Sequence, residues 1–286
     1  MLIDVHTHFL RPQHWGDEFE NNWAPVYGHG WPDITPEAYD EAMTDVDVAI
    51  VFGLTAERAG VFTPDEAIVE FCKATKTRTV GFTAADAAAP GAIERLEQSH
   101  ALGLRGIKLY PVLSGGYTGG GGMTPEVEAF LQRALELRMA VLWHMGASPS
   151  PTAHLRDSLP MFIDDVAIRF PELKQVIAHM GHPWQRDAIA VTRKNRNVYM
   201  DISANWSRTL ECYLALVHAQ EWGVVDRVLF GSDFPLWTPA AAIAELEKIT
   251  TIEAGGLPRV LPSTIDAMIT ADALKLLDLE DAILGD

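Results

Sequence analysis

The sequence has 286 residues, 48% hydrophobic and 21% charged, an ordinary globular balance with length for a large core. A formal net charge of −17 argues against nucleic acid or an anionic membrane as partner, because no basic footprint is present to neutralise phosphates. A small anionic substrate stays open, since a local lysine or metal ion can outweigh the global field.

Cys72 and Cys212 fall in helical patterns and read as buried apolar residues rather than a disulfide. The first strand begins at Leu2 without room for a signal peptide, and no apolar run is long enough to span a bilayer, so a cytoplasmic protein is expected.

An apolar run over residues 2–5 ends in His6-Thr7-His8. Side chains two apart on a strand share a face, roughly 6–7 Å apart, so this pair can grip one metal ion or simply end the strand. Residues 10–33, rich in Trp, Pro, Gly and Asn, show no period. They read as a long loop, either functional or an aromatic-anchored loop packed on the body.

Thr35-Pro36-Glu37 opens a helix, with a cap residue, a proline at the first position and an acid in the first turn. Further strands are predicted at 46–53, 79–84, 106–110, 139–145, 174–179, 198–203 and 227–232. Helices are predicted between them, opened by Thr63-Pro64-Asp65-Glu66 and Thr124-Pro125-Glu126 among others. Residues 115–122 are nearly all glycine, and without Gly-Lys-Ser/Thr they make a plain loop or a lid rather than a phosphate cradle. Short helices near 263–268 and 271–277 end the chain.

Eight apolar strands, each followed by a helix, predict an α/β fold: a (β/α)8 TIM barrel spanning residues 1–286 as one domain, with extra C-terminal helices. An open doubly wound sheet fits less well, because no glycine fingerprint follows the first strand.

Working residues of such a barrel sit at the C-terminal ends of its strands. The ionisable residues there are His6 and His8, Lys108, His144, His179, Asp201 and Asp233. Each alone passes for a core histidine or a turn-capping carboxylate. Four histidines and an aspartate together point to a shared metal site. Neutral imidazoles with one carboxylate suit Zn²⁺, and also Mn²⁺ or Fe²⁺. Such an ion activates water near neutral pH.

The set His6, His8, His144, His179 and Asp233, with the phrases IDVHTHF, GIKLYP, VIAHMGHPW, NVYMDIS and VLFGSDFPL, resembles the amidohydrolase superfamily over nearly the whole chain. The closer likeness is to its decarboxylase-like, amidohydrolase-related group. The resemblance implies that His6, His8, His144 and Asp233 ligate one divalent ion per chain, zinc foremost. It implies that His179 serves as acid/base or as a further ligand, and that Asp233 also takes the water's proton.

Lys108 stands where other members carry a carboxylated lysine between two metals. One metal is favoured, with Lys108 as a cation near the substrate; an ion pair with Asp201 is the alternative. His182 and Trp184 are assigned to substrate binding, and Trp15, Trp23, Phe9 and Trp206 to an aromatic wall.

The expected function is hydrolysis of an ester, lactone or amide of a small carboxylated substrate. Non-oxidative decarboxylation of an aromatic or unsaturated acid and a non-catalytic metal-binding barrel are the alternatives. Self-association into a homo-oligomer is left open.

Overall fold

Apolar runs buried on both faces let alternate residues enter different cores, and the computed structural model shows this along the strands. It describes residues 1–115, 117, 122–148 and 150–284. Positions 116 and 118–121 of the glycine-rich run therefore lie outside the described residues.

Eight parallel strands lie in one sheet in chain order. They are β1 (Ile3–His8), β2 (Val48–Phe52), β3 (Thr79–Ala85), β4 (Gly106–Leu109), β5 (Ala140–Trp143), β6 (Gln175–Ile177), β7 (Val198–Asp201) and β8 (Val228–Leu229). Val48, Ile50, Phe52, Leu142 and Leu229 meet inside, with the C-terminal Leu274 and Leu277 below them. Val141 and Trp143 of β5 face outward to the helices. The chain just past β8 closes the barrel on β1: Val5 N–H donates to Phe230 O at 3.0 Å, Asp233 N–H to His6 O at 2.9 Å, and His8 N–H to Phe234 O at 2.8 Å.

The helices follow the expected punctuation. Thr35, Thr124 and Thr238 cap α2 (Pro36–Ala42) and the helices Pro125–Glu136 and Pro239–Thr250, each with proline next in line. Thr63 departs from the pattern. Pro64 is the cap of α3 (Asp65–Ala74), and the Thr63 hydroxyl accepts instead from Leu54 N at 3.1 Å. Cys72 and Cys212 are free and buried, as expected, and burial pushes their thiols up to about 11 and about 12.

The long loop after β1 is the main correction. It contains a turn at Pro12–His14 and an eleven-residue helix, α1 (Asp17–Tyr27). Asp17, Glu18 and Glu20 load the positive helix start with acid, and Gly28 ends the helix in the left-handed region at φ 77°. Phe19 and Trp23, four apart, stack at 5.8 Å, and Trp23 meets Trp31 edge-on at 4.5 Å. Trp31 in turn stands 5.6 Å from the His8 ring. The helix is thereby a roof over the C-terminal mouth of the barrel. No helix among the described residues is long and apolar enough to cross a membrane.

Candidate metal centre

β1 carries an irregularity that aims its two histidines. Asp4 pairs with Ala49 but Thr7 with Val51, so β1 spends one residue more than β2 over that stretch. Such a bulge leaves an amide without a ladder partner and re-aims the side chains beyond it. Here the His6 N–H donates to Asp4 Oδ1 at 3.1 Å, and the same oxygen accepts from Ser232 N at 2.9 Å. One buried carboxylate thus ties the bulge to the chain just before Asp233. Burial raises Asp4 to about 7.

His179 and Asp233 sit beyond their strands on left-handed backbone, at φ 56° and 61°. Such conformations cost energy in non-glycine residues and cluster where function holds them. The His179 turn is pinned by its own N–H, which donates to Asp201 Oδ1 at 3.0 Å.

The side chains converge. Asp233 Oδ1 lies 3.2 Å from Nε2 of both His6 and His8. His179 Nε2 lies 3.2 Å from His144 Nδ1. One donor atom from each of His6, His179 and Asp233 falls within 4.8 Å of the other two. Lys108 Nζ is 3.3 Å from His6 Nε2 and 4.7 Å above the Phe52 ring.

The outer nitrogens decide what the inner ones offer. His6 Nδ1 faces Asp201 Oδ2 at 2.9 Å. His179 Nδ1 faces the Ser203 hydroxyl at 2.8 Å and the Ser203 carbonyl at 3.3 Å. His144 Nε2 faces the Ala147 carbonyl at 3.4 Å. Carboxylates and carbonyls only accept, and a neutral imidazole carries one proton, so that proton belongs on the outer nitrogen of His179 and His144. His6 has a carboxylate on each side, and the closer Asp201, with Lys108 at 3.3 Å from Nε2, places its proton on the outer nitrogen too. Bare lone pairs on His6 Nε2, His179 Nε2 and His144 Nδ1 then face one another and an aspartate. This is the arrangement of metal-ligating histidines, whose far N–H is held by an oxygen.

Charge agrees with this. Burial lowers the basicity of His6, His8 and His144, and of His179 to about 4, so the rings are neutral at pH 7. Burial opposes charge on Asp201 and Asp233, but the neighbouring imidazoles outweigh it and hold both well below the usual carboxylate range. Burial brings Lys108 down to about 7, against the pull of Asp201 and Asp233.

A cavity of about 300 Å³ opens above the centre. His8, His144, His179 and Asp233 form its floor, and Trp23, Trp31, Tyr110 and Trp237 are among its walls. His182 lines it; its Nδ1 accepts from Gln185 Nε2 at 2.9 Å. Lys108 and Trp184 are not among the lining residues: Lys108 is buried beneath, and Trp184 begins the helix Gln185–Lys194.

Of the proposed aromatic wall only Trp23 lines the cavity; Phe9 and Trp206 are packed into the body, and Trp15 bonds Glu20 through Nε1 at 3.1 Å. Arg208, exposed on the cavity wall, and Tyr110, stacked on His144 at 3.8 Å, escaped the sequence reading. So did Ser203, although it stands two residues after Asp201.

The amidohydrolase family model matches residues 3–263. No curated protein matches in sequence. Among solved structures, an uncharacterised TIM-barrel protein from Bordetella bronchiseptica superposes with a TM-score of 0.73 at 17% identity, covering 97% of this chain and 99% of its own. A probable 2-pyrone-4,6-dicarboxylic acid hydrolase from Acinetobacter baumannii, with citric acid bound, gives 0.67 at 15% identity over 97% and 99%. A dihydroxybenzoic acid decarboxylase from Polaromonas sp. JS666, with manganese and the inhibitor 2-nitroresorcinol, gives 0.63 at 18% identity over 97% of each chain.

Proposed function

This chain belongs to the amidohydrolase family, and from that premise we propose that it is a metal-dependent hydrolase of an ester, lactone or amide of a small carboxylated substrate. The observation that carries the metal is the gathering of His6 Nε2, His179 Nε2 and His144 Nδ1 with Asp233 while the far nitrogen of each of these three rings meets an oxygen. His8 Nε2 stands 3.2 Å from Asp233 Oδ1, but its Nδ1 is buried without an oxygen partner, so His8 lacks the outer support of the other three rings. Imidazole and carboxylate together favour Zn²⁺, with Mn²⁺ and Fe²⁺ as further candidates. Such an ion, when bound, supplies Lewis acidity and an activated water at neutral pH.

The chain's own groups supply the rest. Asp233 is ionised and faces the centre, so it is placed to take a proton from a water there. Trp23, Trp31, Tyr110 and Trp237 favour a flat, ring-sized substrate, in a cavity at the small end of the range for ligand sites. Arg208 on the wall offers a fork for a carboxylate, the part first assigned to Lys108.

The same walls support a second reading, decarboxylation of a hydroxy-aromatic acid, in which a protonated Asp233 or His179 would deliver a proton to carbon. One experiment separates the two. The metal content of the purified protein is measured, and lactones, esters and hydroxy-aromatic acids are then offered in ¹⁸O-water. Label in the product supports hydrolysis, and CO₂ release with unlabelled product supports the second reading. Full activity after chelation would sink both.

A further inference from the structure

Asp201 distributes its two oxygens unequally. Oδ1 accepts from two backbone amides, His179 N at 3.0 Å and Ser203 N at 3.1 Å, and from the Ser203 hydroxyl. Oδ2 accepts from His6 Nδ1 at 2.9 Å. The Ser203 hydroxyl has one proton, and Asp201 takes it. The oxygen is then left to accept from His179 Nδ1 at 2.8 Å, and it also stands 3.2 Å from His6 Nδ1. A single carboxylate on β7 therefore reaches an imidazole on β1 directly and one past β6 through a hydroxyl. It pins the left-handed turn of the second as well.

We propose that Asp201 is a positioning residue that sets the tautomer of His6 and, through Ser203, that of His179, so that both rings turn a bare Nε2 to the centre. The consequence for metal binding rests on the ligand role proposed above for His6; the tautomers themselves do not.

The substitution Asp201→Asn tests this without changing shape. Two backbone N–H groups cannot rotate away, so the amide oxygen of the asparagine must stay in the Oδ1 place. That puts its NH₂ where Oδ2 faced His6 Nδ1. A donor facing Nδ1 requires a bare Nδ1, and the ring's proton moves to Nε2. Asp233 Oδ1, 3.2 Å from that nitrogen, accepts it there. The His6 lone pair is then turned away from the centre. Ser203→Ala acts differently: His6 keeps Asp201, while His179 Nδ1 keeps only the carbonyl at 3.3 Å.

The experiment is ¹⁵N-histidine correlation spectroscopy on the full chain after chelation, for wild type and both variants, with Zn²⁺ affinity measured by competition with a chromophoric chelator. Wild type is expected to show His6 and His179 protonated at Nδ1. Asp201→Asn is expected to show His6 protonated at Nε2, with Zn²⁺ affinity lowered on the order of 10–100-fold, the usual effect of losing an outer partner. Ser203→Ala is expected to leave the His6 tautomer unchanged and to leave His179 as a mixture, its Nδ1 proton held only by the carbonyl at 3.3 Å. His179 still wholly protonated at Nδ1 in that variant removes Ser203 from the proposal. His6 still protonated at Nδ1 in Asp201→Asn overturns the proposal. A flipped His6 with unchanged Zn²⁺ affinity upholds the positioning role and instead removes His6 from the ligand set.

Discussion

A neutral imidazole has one lone pair to offer, so the group behind the ring decides what the ring presents in front. Behind His6, His144 and His179 stand Asp201, the Ala147 carbonyl and Ser203, and in front of them the lone pairs meet. This bears on His179, for which the family resemblance allows either acid/base work or ligation. One of its ring nitrogens belongs to the close group with His6 and Asp233, which favours ligation. His179→Ala should therefore lower Zn²⁺ affinity by more than about 100-fold, beyond the range for outer partners. Chelator competition reads this directly, and wild-type affinity with turnover lost would return His179 to acid/base duty.

The ligand candidates are readable in the sequence because an ionisable residue ending an apolar run is a local anomaly. Their outer partners are not, since Asp201 lies 195 residues from His6 and only the closed barrel makes them neighbours. Asp4 did carry a signal. A carboxylate inside the apolar run 2–5 has to be satisfied by something, and here it is the amide that the bulge frees.

At the scale of elements, the seam between β1 and the chain after β8 holds the first ligand candidates against the last. Gly231 is there for space: a Cβ on it would lie 2.7 Å from His6 Cβ, an atom anchored to backbone. Gly231→Ala should push β1 outward, costing about 1–3 kcal/mol through overpacking. It should also lower Zn²⁺ affinity at least about tenfold, as a displaced ligand would. Thermal unfolding and chelator competition together check this, and unchanged affinity would show that β1 absorbs the methyl group without moving His6.

Strand and helix order was open to reading because apolar runs and Thr-Pro caps are local signals. α1 was hidden for equally local reasons. Pro25 lies inside it, and Asn21, Asn22 and Trp23 blur its period. It is held by the edge-on contact with Trp31 and by the barrel mouth beneath, neither of which lies within its own stretch of chain.

At the scale of the molecule, eight runs close into one barrel, and four imidazoles that would otherwise be basic are buried together and made neutral. That has a consequence for stability against pH. A histidine whose folded pKa is depressed contributes fully above its unfolded value, near 6.5. Its contribution is lost as pH falls toward the folded value, about 4 for His179, because the unfolded chain binds the proton first. Two effects run the other way in the metal-free protein. Asp4, raised to about 7, favours the folded state as pH falls through that value, and acid relieves the repulsion of a −17 charge.

The difference between zinc-loaded and metal-free unfolding midpoints removes much of that background. Metal stabilises by binding the folded state alone, and protons compete only with ligands that can take them. Because the folded rings are already neutral, they should not themselves erode the zinc increment in Tm between pH 8 and 6. Lys108, brought down to about 7 and 3.3 Å from His6 Nε2, should trim that increment as it takes its proton. The increment should collapse only as pH approaches 4, where His179 takes its proton. With Lys108→Met removing the lysine's contribution, an increment that still halves between pH 7 and 6 would mean that the rings titrate as ordinary exposed histidines, and that the barrel does not hold them in the neutral, inward-facing form its geometry requires.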